Sequence, residues 1–124
     1  MELHEVYAAV GDEGFARLIG AFYRQVPDDP ILGPMYPPED LPGAEDRLRW
    51  FLTYRFGGPP LYLEQRGHPR LRMRHMPFPI TQAARDRWVA LMDQAFAEAD
   101  WPAEAQRVSR QFLAETATFL INRA

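Results

Sequence analysis

The stretch Glu64-Gln65-Arg66-Gly67-His68-Pro69-Arg70-Leu71-Arg72-Met73-Arg74-His75-Met76-Pro77-Phe78 holds two of the three histidines and four of the fourteen arginines of this 124-residue chain. Proline is tolerated in the first turn of a helix, and the residue before a proline is pushed out of the helical region. The interval Pro69 to Met76 therefore predicts two helical turns that end before Pro77. In such a helix Leu71 and His75, four apart, share one face, and Arg70 and Arg74 share the adjoining one. His75 is expected to look inward. A neutral imidazole in apolar surroundings can ligate iron through one ring nitrogen while the other donates to a carbonyl, here that of Leu71.

Working outward, the same chain reads as helices separated by proline and glycine. From Asp12 the residues Phe15, Leu18, Ile19, Phe22, Tyr23 and Val26 keep the spacing of one helical face, and Pro27 ends the run. Leu3 to Val10 is expected to add a short helix before it. A proline-dense connection, Pro27 to Pro42, leaves room only for single turns and is long enough to be functional. Asp40 is expected to cap a second helix with Ala44, Leu48, Phe51, Leu52 and Phe56 inward, stopped at Gly57-Gly58-Pro59-Pro60. Thr81 is expected to cap a helix bearing Trp88, Leu91, Met92, Ala95, Phe96 and Ala99. Pro102 then opens a last one with Val108, Phe112, Phe119 and Leu120 inward. Nothing alternates as a strand does. The reading is an all-α single domain spanning 1–124.

Composition narrows the chemistry. The absence of cysteine excludes disulfides, thiolate-held metal centres, a thiol nucleophile and covalent haem attachment. The longest stretch without Asp, Glu or Arg, between Arg74 and Arg85, is far below the roughly 20 residues that span a bilayer. The acidic N-terminal segment lacks the character of a secretory signal, so a cytoplasmic location is expected, with no membrane partner. A net charge of -3 argues against bulk nucleic-acid affinity. Taken alone, His75 is more often a packed or capping histidine, and the arginines around it a solvated face. Arg66, Arg70, Arg72 and Arg74 with His68 also admit a second reading, a helical interaction module binding nucleic acid or an acidic protein. His4 and His68 lie in no apolar register and are expected at the surface. Haem would use the combination around His75: one axial ligand, a flat apolar cleft, and cations at its propionates.

The run Glu64 to Phe78, preceded by Phe56-Gly57-Gly58-Pro59, closely resembles the group II (O-type) truncated haemoglobins. So do Phe22-Tyr23, Tyr36-Pro37, Gly43-Ala44-Glu45-Asp46-Arg47-Leu48 and Arg85-Asp86-Arg87-Trp88, in that order and spacing. Arg55-Phe56 departs from the two aromatic residues that more often precede Gly-Gly in this family. The resemblance implies a two-over-two helical sandwich enclosing a b-type haem, with His75 as the proximal iron ligand. It also implies that Tyr23, Tyr36 and Trp88 line the distal side as hydrogen-bond donors and that Ala44 stands where many globins carry a distal histidine. Leu48, Phe51 and Leu52 would face the haem distally, and Leu71, Met73, Phe78 and Ile80 proximally and at its edge. Arg47 and Arg74 are the expected partners of the propionates, with Arg70 as a further candidate. The function implied is reversible binding of oxygen and other small ligands, with slow release. Slow release suits redox protection, such as nitric oxide dioxygenation or peroxidase-like turnover, better than bulk oxygen transport. The partners would be oxygen, nitric oxide or peroxide and an external electron donor, and a homodimer is compatible with the chain.

Overall fold

The computed structural model describes all 124 residues, and its regular elements are all helical. There are six α-helices, α1 (Val6–Gln25), α2 (Leu41–Arg55), α3 (Leu61–Arg66), α4 (Leu71–His75), α5 (Gln82–Ala99) and α6 (Ala103–Phe119), with one short 3-10 turn before α1 and three between α1 and α2. α1 packs against α5 and α2, α5 packs against α6, and α3 rests on α2. Two helices crossing two others is the two-over-two arrangement expected from the sequence, and α4 lies outside the two pairs.

The core follows from the apolar stripes. Phe15, Leu18, Ile19 and Phe22 on α1 are fully buried, as are Leu52 and Phe56 at the end of α2 and Phe96 on α5. Each such side chain contributes about 1.5–3 kcal/mol through transfer from water. Phe15 is the hub: its ring lies 5.7 Å from Phe56 and 5.1 Å from Trp101, the latter edge-on. The Trp101 indole donates to the Gly14 carbonyl at 2.9 Å, which satisfies its one polar group inside the core. Arg55, where the family pattern favours an aromatic residue, stands over the Phe112 ring at 4.8 Å, so a cation–π contact covers that helix end.

The local signals largely set the boundaries. Gly11, at φ 67°, breaks α1 between the short helix expected to Val10 and the longer one expected from Asp12. The Thr81 hydroxyl accepts the Ala84 N–H, the expected cap of α5. Three expectations are corrected. Asp40 precedes α2, but its carboxylate makes no cap bond and instead takes Arg47 at 2.6 Å. The helix bearing His75 begins at Leu71 rather than Pro69, because Arg70 adopts a left-handed conformation (φ 40°) that no α-helix accommodates. Phe119 lies at the very end of α6, where its stripe runs past the core, and is 59% exposed with Arg72 5.1 Å above its ring.

Gly57 locks the N-terminal turn onto the end of α2. Its φ is +96°, and a Cβ there would stand 1.8 Å from the His4 carbonyl oxygen, a backbone atom that cannot move aside. The Tyr7 N–H donates to the Phe56 carbonyl at 2.9 Å in the same place. Gly57→Ala is therefore expected to lower stability by about 2–4 kcal/mol. Gly67→Ala, at φ 75° and ψ -151° but with open space around it, should carry the backbone strain alone, about 1–3 kcal/mol, and so cost less than Gly57→Ala. Urea denaturation of the two variants checks this, and equal losses would refute the steric account.

Candidate functional site

Three of the sequence-picked residues come together between α1, α2 and the proline-rich connection, and Trp88 on α5 joins them through Phe22. Tyr23, near the end of α1, donates its hydroxyl to the Ala44 carbonyl at 3.2 Å. Its ring stands edge-on to Tyr36, with centroids 5.7 Å apart. On the other side Phe22 lies 5.0 Å from Tyr23 and 5.3 Å from Trp88, so a line of four rings runs from the connection to α5. Sequence reading placed Phe22 on the helix stripe but missed its bridging role.

The donors differ in what they are free to do. Tyr23 has already given its proton to a carbonyl. The Tyr36 hydroxyl and the Trp88 indole N–H donate to no protein group, yet the only fully buried side-chain polar atom left without a partner is the Ser109 hydroxyl. The Tyr36 and Trp88 side chains are both half-buried against the core, so these two donors stand at its edge with no protein acceptor. Burial, then the neighbouring Tyr36 phenol, pushes Tyr23 well above the usual tyrosine range. Burial likewise raises Tyr36, against the opposing pull of the Tyr23 hydroxyl and Arg47. Both phenols stay protonated near neutral pH.

His75 ends α4, and its Nδ1 lies 2.7 Å from the Leu71 carbonyl oxygen, the partner expected from the sequence. A carbonyl only accepts, so Nδ1 must carry the proton and Nε2 keeps its lone pair free. No group of three or more His, Cys, Asp or Glu side chains gathers around it or elsewhere. A lone imidazole of this kind suits a metal whose other in-plane ligands arrive with it, as in haem. Around it Leu71 and Ile80 are half-buried, while Met73, Met76 and Phe78 present apolar surface. On α2, Leu48 is half-buried, Phe51 and Ala44 are buried, and Leu52 is wholly enclosed. The residues fit haem.

The cations are less free than the sequence suggests. Arg47 pairs with Asp40, whose carboxyl its hydrogen bond holds below the usual range. The pair is partly exposed, a setting in which ion pairs are weak and exchange readily. Arg74 donates to the carbonyls of Pro69, Arg66 and His68 at 2.8, 3.0 and 3.3 Å, so its guanidinium braces the turn before α4. Arg70 is exposed and makes no ion pair.

A family model for bacterial-like globins matches residues 5–122. A group 2 truncated haemoglobin of Bacillus subtilis (strain 168), YjbI, is 39% identical over 116 residues, covering 94% of this chain and 87% of that protein. The chain belongs to the group II truncated haemoglobins. Among solved structures, a thermostable haemoglobin from the actinobacterium Thermobifida fusca superposes on this globin with a TM-score of 0.90. It is 47% identical, with 94% of this chain and 96% of that one covered. A truncated oxygen-avid haemoglobin from Bacillus subtilis gives 0.90 at 38% identity, over 94% and 98%. Haem-based oxygen binding follows from the membership. No helix of this globin is long and apolar enough to cross a membrane.

Asp29 and Arg87 were not singled out by the sequence. The Asp29 side chain is 1% exposed and takes Arg87 at 2.8 Å together with the Ile31 and Leu32 N–H groups. It ties the turn leading to Tyr36 to the helix carrying Trp88. The available signal was an aspartate at a turn, whose side chain commonly accepts from the backbone two residues on. Burial pushes the Asp29 carboxyl up, but the Leu32 N–H, Arg87 and the Ile31 N–H outweigh it, so it titrates below the usual range. A lowered folded value means that its stabilisation is complete above the unfolded value, about 3.9, and is lost as pH falls through the folded value. Asp29→Asn should cost about 1–3 kcal/mol at neutral pH. That difference from wild type should shrink below about pH 4, measured as denaturant midpoints at several pH values; a gap that holds at low pH would refute it.

Proposed function

We propose that this globin binds oxygen at a b-type haem ligated by His75 and releases it slowly. The observation that carries this is the pair of half-buried donors without a protein acceptor, the Tyr36 hydroxyl beside Tyr23 and the Trp88 N–H beside Phe22. When bound, the haem supplies an iron that takes oxygen, nitric oxide or peroxide and changes oxidation state with electrons from an external donor. His75 would hold it through Nε2. Leu48 and Phe51 on α2, and Leu71, Phe78 and Ile80 near α4, would exclude water from its faces and edge. Arg47 would exchange Asp40 for a propionate, and the two N–H bonds left on Arg74 Nη1 would serve the other.

Tyr36 and Trp88 would each offer a hydrogen bond to a ligand that gains negative charge on binding, and a well-aimed donor of this kind contributes about 0.5–1.5 kcal/mol. Ala44 contributes space and a carbonyl that occupies Tyr23, so Tyr36 and Trp88 bear the stabilisation while Tyr23 orients Tyr36. A pocket that holds oxygen until a second reactant arrives suits nitric oxide dioxygenation or peroxidase-like turnover better than repeated loading and unloading. The similar Bacillus subtilis protein described as oxygen-avid supports that direction.

The purified chain should take up hemin and show a Soret band that His75→Ala abolishes or strongly alters. Tyr36→Phe and Trp88→Phe should each speed oxygen dissociation about three- to tenfold, measured by stopped-flow, with Tyr23→Phe having the smaller direct effect. The wild-type rate should be flat between about pH 6 and 9, because both phenols stay protonated. A fast release unchanged by either substitution would sink the donor account. A colourless chain that binds DNA with a steep salt dependence would favour the interaction-module reading of Arg66 to Arg74.

A further inference from the structure

α4 carries the candidate iron ligand, yet none of its residues is buried. Only Leu71 packs against the core, and only partly, so side-chain packing alone does little to fix the helix. Five residues are little more than one turn, and a helix so short does not persist on its own backbone hydrogen bonds. It is held from outside at both ends. Before it, Arg74 gathers the three carbonyls of the preceding turn. Beyond it, the chain that follows α6 returns across the other end.

Asn122 is the centre of that return. Its Nδ2 donates to the His75 carbonyl at 3.1 Å, and its Oδ1 accepts the Ile80 N–H at 3.0 Å. Its own N–H donates to the Ile80 carbonyl at 2.9 Å. Arg123 adds its N–H to the same carbonyl at 3.2 Å and its guanidinium to the Met76 carbonyl at 3.2 Å. The amide orientation of Asn122 is dictated by its surroundings: the Ile80 N–H only donates and the His75 carbonyl only accepts, so oxygen faces the first and nitrogen the second. The last carbonyls of a helix lack intrahelical partners. That of His75 is met by Asn122 together with the Phe78 N–H at 2.9 Å. The imidazole is thereby referenced at two points, its ring to the Leu71 carbonyl and its backbone to Asn122.

We propose that Asn122 is a positioning residue for His75: by clamping the His75 carbonyl to the Ile80 segment it sets the direction of Nε2, and hence the strength of the bond His75 makes to haem iron. This rests on His75 being the iron ligand. Asn122→Ala removes every side-chain contact, including the one its Oδ1 accepts from Arg123 at 3.1 Å, whereas Asn122→Asp keeps an acceptor for the Ile80 N–H and for Arg123 and sets a carboxylate oxygen against the His75 carbonyl in place of the donor. The full chain is loaded with hemin and two quantities are read: the rate of haem transfer to excess apomyoglobin, and the iron–histidine stretching band of the ferrous, ligand-free protein by resonance Raman spectroscopy.

Both variants are expected to lose haem about tenfold faster than wild type, with the band shifted or broadened. If Asn122→Asp matches wild type in both, the clamp on His75 has no role and Asn122 merely anchors Ile80, which overturns the proposal. Should Asn122→Ala fail to fold, Asn122→Asp decides alone. His75→Ala must lose the band. A wild-type chain that takes up no hemin, or shows no such band, refutes ligation by His75 itself, an outcome distinct from a normal band that Asn122 substitutions leave unchanged.

Discussion

The 2.7 Å bond between His75 Nδ1 and the Leu71 carbonyl is the constraint on which the site depends. It decides the tautomer, since a carbonyl offers no proton, and so leaves Nε2 as a base. It spans one helical turn, so it exists only while α4 keeps its helical shape. α4 is too short and too exposed to keep that shape unaided. The chemistry of one imidazole is thus linked to everything that holds five residues in place: the Arg74 brace before them and the Asn122 and Arg123 contacts after them.

The aromatic cluster around Tyr23 is built on a different plan. Tyr23 and its neighbours stand on α1, whose stripe is buried from Phe15 to Phe22 and whose position is set by packing rather than by a few hydrogen bonds. Tyr36, by contrast, sits in an irregular connection. Asp29 supplies there what packing does not, because one buried carboxylate answers two turn N–H groups and the Arg87 that adjoins Trp88. Burying that charge is tolerable because each of its close partners is a donor. Rigid aromatic walls and a pinned loop together leave two donors unspent where a ligand would sit.

The division of labour among the arginines has a similar cause. Six of the fourteen are in ion pairs with acidic side chains. The acid-free stretch between Glu64 and Asp86 offers its own arginines no carboxylate within the segment. Arg74 turns to backbone carbonyls, and Arg66 and Arg72 stand near aromatic faces, those of Tyr62 and Phe119. A planar guanidinium serves all three purposes, which a lysine ammonium does less well.

By itself the sequence determined where the helices run, most of their stops and the shared face of Leu71 and His75, because these depend on spacing, on proline and glycine, and on contacts three or four residues apart. The break at Gly11 and the Thr81 cap are of this local kind. The family was legible for a related reason: Phe22-Tyr23, Tyr36, Gly57-Gly58, His75 and Trp88 each mark a point where backbone shape or site chemistry narrows the choice of residue. Only the tertiary structure decided that Asp40 serves Arg47 instead of α2, that Tyr23 spends its proton on Ala44, that Phe22 joins Tyr23 to Trp88, and that Asn122 reaches His75 across 47 residues. Most of those contacts join groups far apart in the chain, and the Asp40–Arg47 pair, only seven residues apart, competes with the local cap that Asp40 would otherwise make. A carbonyl is present at every residue and carries no sequence signal, so which one a donor meets is settled only when the helices pack.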